Sequence, residues 1–179
     1  MISDTKVVAI GGGTGLSTML KGLKLHTHNI TAVVTVADDG GSSGILRSDL
    51  GMLAPGDVRN CVSALAEVDP VMGELLNFRF KDGSLKGHSL GNLFLAALNE
   101  TSSSFDEAVK KFSHLTGVVG TVYPVTNESV TLSALLEDGR LIEGESHIGV
   151  HHDGPKNGIV KLMVNPEKPK AVDGVIKAL

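Results

Sequence analysis

The sequence predicts an α/β fold built around a parallel β-sheet, because its first segments form a strand–helix–strand unit. Residues 6–10 are a short apolar run that leads directly into a glycine-rich turn. Residues 14–25 carry apolar side chains at helical spacing, and residues 30–37 are nearly all apolar or threonine. A strand of that kind is typical of a parallel sheet covered on both faces. We therefore predict a βαβ unit with a right-handed crossover.

The middle of the chain predicts a series of helices. Residues 40–44 are expected to be a polar loop, and residues 47–53 a short helical turn. Longer helices are predicted at residues 58–67, 70–80, 89–100 and 105–115. Asp57 is expected to cap the first of these, and Ser104 with Glu107 forms a capping box before the last.

The second half of the chain predicts mainly strands. They are expected at residues 118–125, 130–136, 141–145 and 159–164. Asp138 and Gly139 are a hairpin signal between two of them, and residues 172–179 begin a further element. We expect a mixed sheet with a β-rich insertion. Residues 1–179 are expected to form a single domain, the amino-terminal part of a longer fold.

Composition excludes several classes of function. A net charge of −4 and an aromatic content of 3% disfavour a broad basic surface or stacking platforms for nucleic acid. No apolar run approaches the ~20 residues needed to span a bilayer, and the first residues lack a signal-peptide pattern. The single cysteine, Cys61, excludes an intramolecular disulfide and is expected to be packed inside a helix. We expect a cytoplasmic protein without nucleic-acid or membrane partners; a homo-oligomeric state is left open.

The glycine-rich turn after the first strand is the first candidate binding site. It consists of Gly11, Gly12, Gly13, Thr14 and Gly15. Backbone N–H groups at a helix N-terminus favour phosphate, so this segment predicts binding of a phosphorylated ligand. The pattern is neither the strict dinucleotide fingerprint nor a phosphate-binding loop with lysine. The alternative is a tight turn without a ligand.

Two acidic residues, Asp38 and Asp39, end the second predicted strand, where ligands bind in open α/β sheets. They are candidates for holding ribose hydroxyls, for binding a divalent cation together with Ser42 and Ser43, or for a general base. The alternative is a helix cap or a solvated turn.

Two further segments place polar groups at predicted helix starts. Arg59 and Asn60 are candidates for recognising a carboxylate or phosphate, against the alternative of a capped helix with a surface arginine. His88, Ser89 and Asn92 stand at the start of an apolar helix. His88 is a candidate acid–base group, and Ser89 a candidate cap that also contacts ligand, although simple capping is the stronger interpretation.

Three histidines later in the chain raise the question of a metal site. They are His147, His151 and His152. Their irregular spacing and the absence of cysteine partners favour a solvated loop.

Four segments together resemble the signatures of the bacterial gluconeogenesis factor family, which is related to 2-phospho-L-lactate transferases. They are residues 11–15, 36–44, 55–60 and 87–92, and the resemblance covers essentially the whole chain. It implies a three-layer α/β/α Rossmann-like domain in a cytoplasmic protein. The protein would be needed for cell shape during growth on gluconeogenic carbon sources. The implied ligand is a nucleotide such as a UDP-sugar or an NAD-like dinucleotide.

The same resemblance implies roles for individual residues. Residues 11–15 would hold phosphate, and Asp38 or Asp39 would touch an acceptor or a metal, with Asp39 as the catalytic residue. The alternative function is a transferase that uses a nucleotide-activated donor and Mg²⁺. The chain departs from the transferase pattern at residues 40–44, which replace an aromatic-containing stretch. The resemblance further implies that family members continue into another βα segment, whose glycine-rich loop completes the ligand site and is not expected within residues 1–179.

Overall fold

The computed structural model describes residues 4–150 and 157–179, which form two separate β-sheets and eight helices. The first sheet is parallel, with strand order β1-β2-β3: β1 (Val7–Gly11), β2 (Ile30–Val34) and β3 (Thr121–Pro124). The second sheet is antiparallel, with strand order β5-β4-β6: β4 (Thr131–Leu136), β5 (Leu141–Glu143) and β6 (Ile159–Asn165). The expectation of one mixed sheet is therefore wrong, because in the described residues β4 pairs only with β5 and β6.

The helices follow the predicted order with two differences. They are α1 (Gly13–Leu23), α2 (Gly41–Leu50), α3 (Gly56–Leu65), α4 (Pro70–Asn77), α5 (Leu90–Glu100), α6 (Phe105–Leu115), α7 (Glu145–Val150) and α8 (Asp173–Ala178). Helix α2 begins inside the segment predicted as a loop. Gly44 makes this possible, because a Cβ there would lie 2.1 Å from the Asp39 carbonyl oxygen. The second difference is α7, which replaces the end of the predicted strand at residues 141–145.

The parallel sheet carries helices on both faces, which confirms the expected three-layer arrangement. On one face, strand side chains such as Ala32 and Val34 join the main core with Leu20 and Phe112 of α1 and α6. The opposite face packs against α8, where Val33 of β2 belongs to a smaller cluster with two valines. These are Val172, which precedes α8, and Val175 within it.

Cys61 is fully buried in α3, as predicted, and burial raises the pKa of its thiol to about 12. A thiol with that pKa stays protonated and packs as a small apolar group. None of the helices in the described residues combines the length and apolar character needed to cross a bilayer.

Candidate functional site

A polar cavity lies at the carboxyl ends of β1 and β2, where parallel α/β sheets bind ligands. It has two lobes that share Asp38 and Asp57. The acidic lobe, about 400 Å³, is lined by Gly12, Gly13, Thr35, Asp38, Asp57 and Glu145. The arginine lobe, about 290 Å³, is lined by the first turns of α2 and α3 together with Arg79 and Asn92. The cavity thus gathers residues from segments far apart in the sequence.

The helices that begin at the cavity lack side-chain caps. Helices α1, α2 and α3 start after Gly12, Gly40 and Pro55, and no side chain of these three residues bonds a helix N–H group. A helix N-terminus carries unsatisfied N–H groups and a partial positive charge. Three helix starts therefore converge on one cavity, although the first N–H groups of α1 and α3 already donate to Asp57 and Ser43.

The glycine-rich turn contributes two of its five residues to the cavity. A Cβ at Gly12 would lie 2.2 Å from Thr35 Cγ2 and 2.7 Å from Asp57 Oδ2, so only glycine fits there. Gly13 has a φ of +65° and open space beside it. Its N–H group donates a hydrogen bond to the Asp57 carboxylate. The Asp57 carboxylate therefore already accepts the hydrogen bond that the Gly13 N–H group could otherwise donate to a bound phosphate.

The other three residues of the turn line neither lobe. Thr14 and Gly15 are exposed at the start of α1, and Gly11 ends β1. Their predicted phosphate contacts stay predictions.

Two carboxylates of the acidic lobe, Asp57 and Glu145, have raised pKa values. Burial raises the pKa of Asp57, and Asp38 adds to this, while the Gly13 N–H group and Arg59 oppose it. Glu145, delivered by α7, also has a raised pKa, from partial desolvation and then from the neighbouring aspartates. Asp38 itself accepts a hydrogen bond from the Gly40 N–H group at 2.9 Å. A ligand that supplies hydrogen-bond donors or a cation would relieve this repulsion.

The fit of the acidic lobe to Mg²⁺ depends on the ligand. In the described residues, no group of three or more histidines, cysteines, aspartates or glutamates could hold a metal ion. Mg²⁺ in nucleotide sites is commonly held by one or two carboxylates together with substrate phosphates and waters. Asp38 and Asp57 therefore fit Mg²⁺ only alongside a phosphorylated ligand.

Asp39 lies outside the lining of both lobes. Its Oδ1 accepts a hydrogen bond from the Ser146 N–H group at 2.8 Å, which joins the end of the β2 segment to α7. Partial burial opposes ionisation, but hydrogen bonds from Ser146 and the charge of His147 lower the pKa of Asp39 overall. The catalytic and metal-binding roles of Asp39 stay predictions.

The three histidines do not form a cluster that the structure describes. His147 lies in α7, with its Nδ1 2.8 Å from the Glu143 carbonyl oxygen. His151 and His152 lie outside the described residues.

The arginine lobe contains a buried cation that forms no ion pair with the described residues. Arg59 is only 7% exposed. Its Nε donates to Asn92 Oδ1 at 3.3 Å, and its Nη1 donates to Asn77 Oδ1 at 2.9 Å. None of the ion pairs among the described residues includes it. Burial lowers its pKa, Arg79 adds to this, and Asp57 partly offsets it. A buried charge is costly unless it is paired, so this lobe is suited to an anion.

The predicted residues around the arginine lobe divide into lining and supporting groups. Asn60 and Asn92 line the lobe, as do Ser42 and Ser43. Ser43 also accepts a hydrogen bond from the Gly56 N–H group at 3.1 Å, which joins α2 to α3.

His88 and Ser89 are buried behind the lobe. The Nδ1 of His88 lies 3.0 Å from Ser42 Oγ. Ser89 caps α5 by accepting a hydrogen bond from the Asn92 N–H group at 3.2 Å, which confirms the predicted cap, and its contact with a ligand stays a prediction. Asp57, predicted as a cap, lies in the first turn of α3 instead.

The sequence predictions missed Thr35, Asn77, Arg79 and Glu145. Arg79 follows α4 and offered no motif. Glu145 comes from the antiparallel half of the chain, which no local pattern connects to the cavity. Only the position of Thr35, near the carboxyl end of β2, could have indicated a role.

Comparison with known proteins identifies relatives over the whole described chain. Residues 7–179 match the family model described as 2-phospho-L-lactate transferase CofD. A Clostridium acetobutylicum protein named "Putative gluconeogenesis factor" is 53% identical over 179 residues, which is 100% of this chain and 40% of that protein. A Thermoanaerobacterium thermosulfurigenes protein of the same name is 57% identical over 171 residues, covering 96% of this chain and 53% of its own length. The gluconeogenesis factor of Bacillus subtilis is 46% identical over 180 residues, covering 97% and 55%.

A solved structure shares the architecture. The crystal structure of a Bacillus halodurans protein, described as a member of the UPF0052 family, matches with a TM-score of 0.89 at 42% identity. The match covers 97% of this chain and 55% of that one. The chain thus spans between 40% and 55% of the length of these relatives. Because the family match extends from residue 7 to residue 179, the chain belongs to the CofD family, and its relatives include the gluconeogenesis factors.

Proposed function

We propose that the cavity binds a nucleotide ligand, a nucleotide sugar or a dinucleotide, with its phosphates in the arginine lobe. The observation that carries this proposal is Arg59, a buried guanidinium held by two neutral amide oxygens and by no carboxylate of the described residues. Arginine matches phosphate geometry with a planar fork of N–H donors. A phosphate would supply the direct anionic partner that Asp38 and Asp57, although they line the same lobe, do not give to Arg59.

The surroundings of Arg59 support the same assignment. Arg79 adds a second positive charge to the lobe, and the uncapped start of α2 adds backbone N–H groups and a partial positive charge. The glycine-rich turn is the less favourable position, because Gly13 already donates to Asp57. We therefore place the phosphates nearer to residues 40–43 than to residues 11–15.

The acidic lobe is suited to the neutral or metal-bound part of such a ligand. Carboxylates of Asp38 and Asp57 accept hydrogen bonds from sugar hydroxyls, which is the role acids play after the second strand of nucleotide-binding folds. The same two side chains are the ones that would hold Mg²⁺ beside the phosphates. Each lobe is near the lower end of the volume range of ligand pockets, and together they accommodate an extended nucleotide.

The names of the relatives point to gluconeogenesis, and the family resemblance of the sequence adds a role in cell shape. As part of a gluconeogenesis factor-like protein, the cavity would serve cell morphogenesis during growth on gluconeogenic carbon sources. A cell that depends on this protein and carries Arg59→Met should lose normal shape on such carbon sources and keep it on glucose. Normal shape under both conditions would contradict this role.

A transferase of the phospholactate type is the second candidate, favoured by the family description. Mg²⁺ supplies charge neutralisation for a transferred phosphorus-containing group. Asp38 and Asp57 would orient the ligand, and Asp39 would act as a base after release from Ser146. The scarcity of aromatic residues, 3% of the chain, offers little flat surface for a planar aromatic acceptor.

Isothermal titration with UDP-N-acetylglucosamine, NAD and GDP, each with and without Mg²⁺, tests both candidates. Metal-independent binding without turnover supports the nucleotide-binding role, and Mg²⁺-dependent binding with product formation supports the transferase. Absence of heat with all three ligands would contradict both.

A matched pair of arginine variants tests the position of the phosphates. Arg59→Met should weaken binding about 100-fold, because charged hydrogen bonds contribute about 1.5–3 kcal/mol each. Arg140→Met is the control, since Arg140 is exposed and pairs with Asp138 away from the cavity. Equal affinity of the two variants would place the phosphates elsewhere.

A further inference from the structure

A chain of buried side chains connects His88 to the arginine lobe. His88 Nδ1 lies 3.0 Å from Ser42 Oγ, and Asn92 Nδ2 donates to the same oxygen at 3.2 Å. Asn92 Oδ1 then accepts from Arg59 Nε at 3.3 Å. These residues come from α2, α3, the start of α5 and the residue before its cap. All four are at most 8% exposed.

The chemistry of the four groups assigns a direction to these hydrogen bonds. Arginine donates only, so the Asn92 amide must turn its oxygen to Arg59 and its nitrogen to Ser42. Ser42 Oγ accepts from Asn92 and keeps its hydrogen and a second lone pair for His88 Nδ1. In the tautomer with the ring proton on Nε2, Ser42 donates to Nδ1 and all three hydrogen bonds run in the same direction. Successive hydrogen bonds with one direction strengthen each other, and the series ends on the guanidinium that faces the cavity.

Tight packing restricts the Arg59 side chain to the conformation in which Asn92 can accept its hydrogen bond. A Cβ at Gly91 would lie 2.9 Å from Arg59 Cδ and 2.5 Å from the Leu76 carbonyl oxygen. The aliphatic part of Arg59 therefore runs through a narrow passage beside α5. The guanidinium is left with few orientations, and Asn92 selects among them together with Asn77, which accepts from Nη1.

We propose that His88 is a positioning residue: through Ser42 and Asn92 it fixes the orientation of the Arg59 guanidinium and so sets the affinity of the arginine lobe for phosphate. His88 lines neither lobe, so it acts without touching the ligand. This inference rests on the proposed function, because it assigns phosphate to that lobe.

Two amide substitutions at His88 test whether the residue positions Arg59 through hydrogen bonds or only fills space in the core. In His88→Asn the amide lies where Nδ1 was and can still accept from Ser42. In His88→Gln the amide lies where Nε2 was, and that hydrogen bond is lost. The probe is inorganic pyrophosphate, measured by isothermal titration with the 179-residue chain, and the Arg59 Nε–H resonance is followed by NMR in the free protein.

We expect His88→Asn to bind pyrophosphate within about threefold of the wild type and His88→Gln to bind it about tenfold more weakly, the effect of losing one buried hydrogen bond. The Arg59 Nε–H resonance should stay in place in His88→Asn and move in His88→Gln. The exposed His114→Gln serves as a control and should change neither.

Equal affinities of the two His88 variants, or an unmoved Arg59 resonance in His88→Gln, would overturn the proposal. If one variant fails to fold, the Ser42→Ala variant replaces it, with the same weakening and the same movement expected. Failure of the wild type to bind pyrophosphate would count against the proposed function instead. The Arg59 resonance would still decide whether His88 orients the guanidinium.

Discussion

The starts of helices α1, α2 and α3 contrast with those of α4, α5 and α6. The latter three are capped by Asp69, Ser89 and Ser104, whose side chains accept hydrogen bonds from helix N–H groups. The former three have glycine or proline at the cap position and no such bond. A cap is worth about 1 kcal/mol, so the uncapped starts forgo stability where they face the cavity. Because the Gly13 and Gly56 N–H groups of α1 and α3 already donate to Asp57 and Ser43, this difference indicates that the N–H groups at the start of α2 are kept for a ligand.

The largest effect is expected in the glycine-rich turn. Gly12→Ala would place a Cβ 2.2 Å from Thr35 Cγ2, and overpacking of this kind costs about 1–3 kcal/mol. Gly15→Ala meets nothing within 4 Å and removes a glycine from α1, so it should stabilise by up to about 1 kcal/mol. Chemical denaturation measures both. Similar stabilities of the two variants would show that the turn rearranges freely.

A smaller effect is expected from removing a cap away from the cavity. Ser104 accepts a hydrogen bond from the Glu107 N–H group and donates to Asp106 at 2.6 Å. Ser104→Ala should lower the free energy of unfolding by about 1 kcal/mol and leave nucleotide affinity unchanged. Denaturation and titration on the same preparation give both numbers. A loss of affinity would mean that the capped helices also belong to the binding site.

Adding a side-chain cap at the start of α2 should raise stability and weaken ligand binding. Gly40 has an ordinary extended backbone with φ of −87°, and a Cβ there would lie 3.3 Å from Asp38 Oδ1. Gly40→Ser should stabilise α2 by about 0.5 kcal/mol, yet weaken phosphate binding severalfold because its hydroxyl occupies N–H groups that the ligand needs. Thermal melting and titration check this. Stronger binding would contradict the idea that open N–H groups serve the ligand.

The smallest effects are expected in the pH dependence of stability. Asp106 in α6 and Asp57 in the cavity should contribute to it with opposite signs. Burial opposes ionisation of Asp106, but hydrogen bonds from Ser104, Lys110 and Asn127 lower its pKa to about 2. Its contribution to stability is therefore present above the unfolded pKa of 3.8 and is lost as the pH falls towards 2. Asp57 has a raised pKa, so the folded protein holds that proton longer and loses stability as the pH rises through and above 3.8.

Melting temperatures of the wild type, Asp106→Asn and Asp57→Asn between about pH 2 and pH 6 test this contrast. The advantage of the wild type over Asp106→Asn should grow with pH, and its advantage over Asp57→Asn should shrink. Parallel pH profiles for the two variants would show that the acids of the cavity and of α6 have equivalent surroundings.

Local signals account for the parts of the molecule that the sequence predicted well. The βαβ unit, the cap Ser89 and the Asp138–Gly139 hairpin each depend on neighbouring residues. The gathering of Asp38 and Arg59 was also predictable, because carboxyl ends of parallel strands and helix starts meet at one edge of a sheet.

Long-range contacts determine the features that could not be predicted from the sequence. Helix α2 begins among glycines and serines, which are poor helix formers, because the tertiary structure stabilises the segment. Glu145 reaches the acidic lobe only because the antiparallel sheet packs near it, and Asp39 is engaged by Ser146 from the same region. His88 is buried against Ser42, a partner that is 46 residues away in the sequence. No local pattern encodes contacts of this kind.

The position of the bound phosphates is the central claim, and a crystal structure of the chain with UDP-N-acetylglucosamine tests it most directly. We expect both phosphates in the arginine lobe, within hydrogen-bond distance of the Arg59 guanidinium and the N–H groups at the start of α2. Phosphates bound to the N–H groups of Thr14 and Gly15, with Arg59 not in contact, would contradict the account.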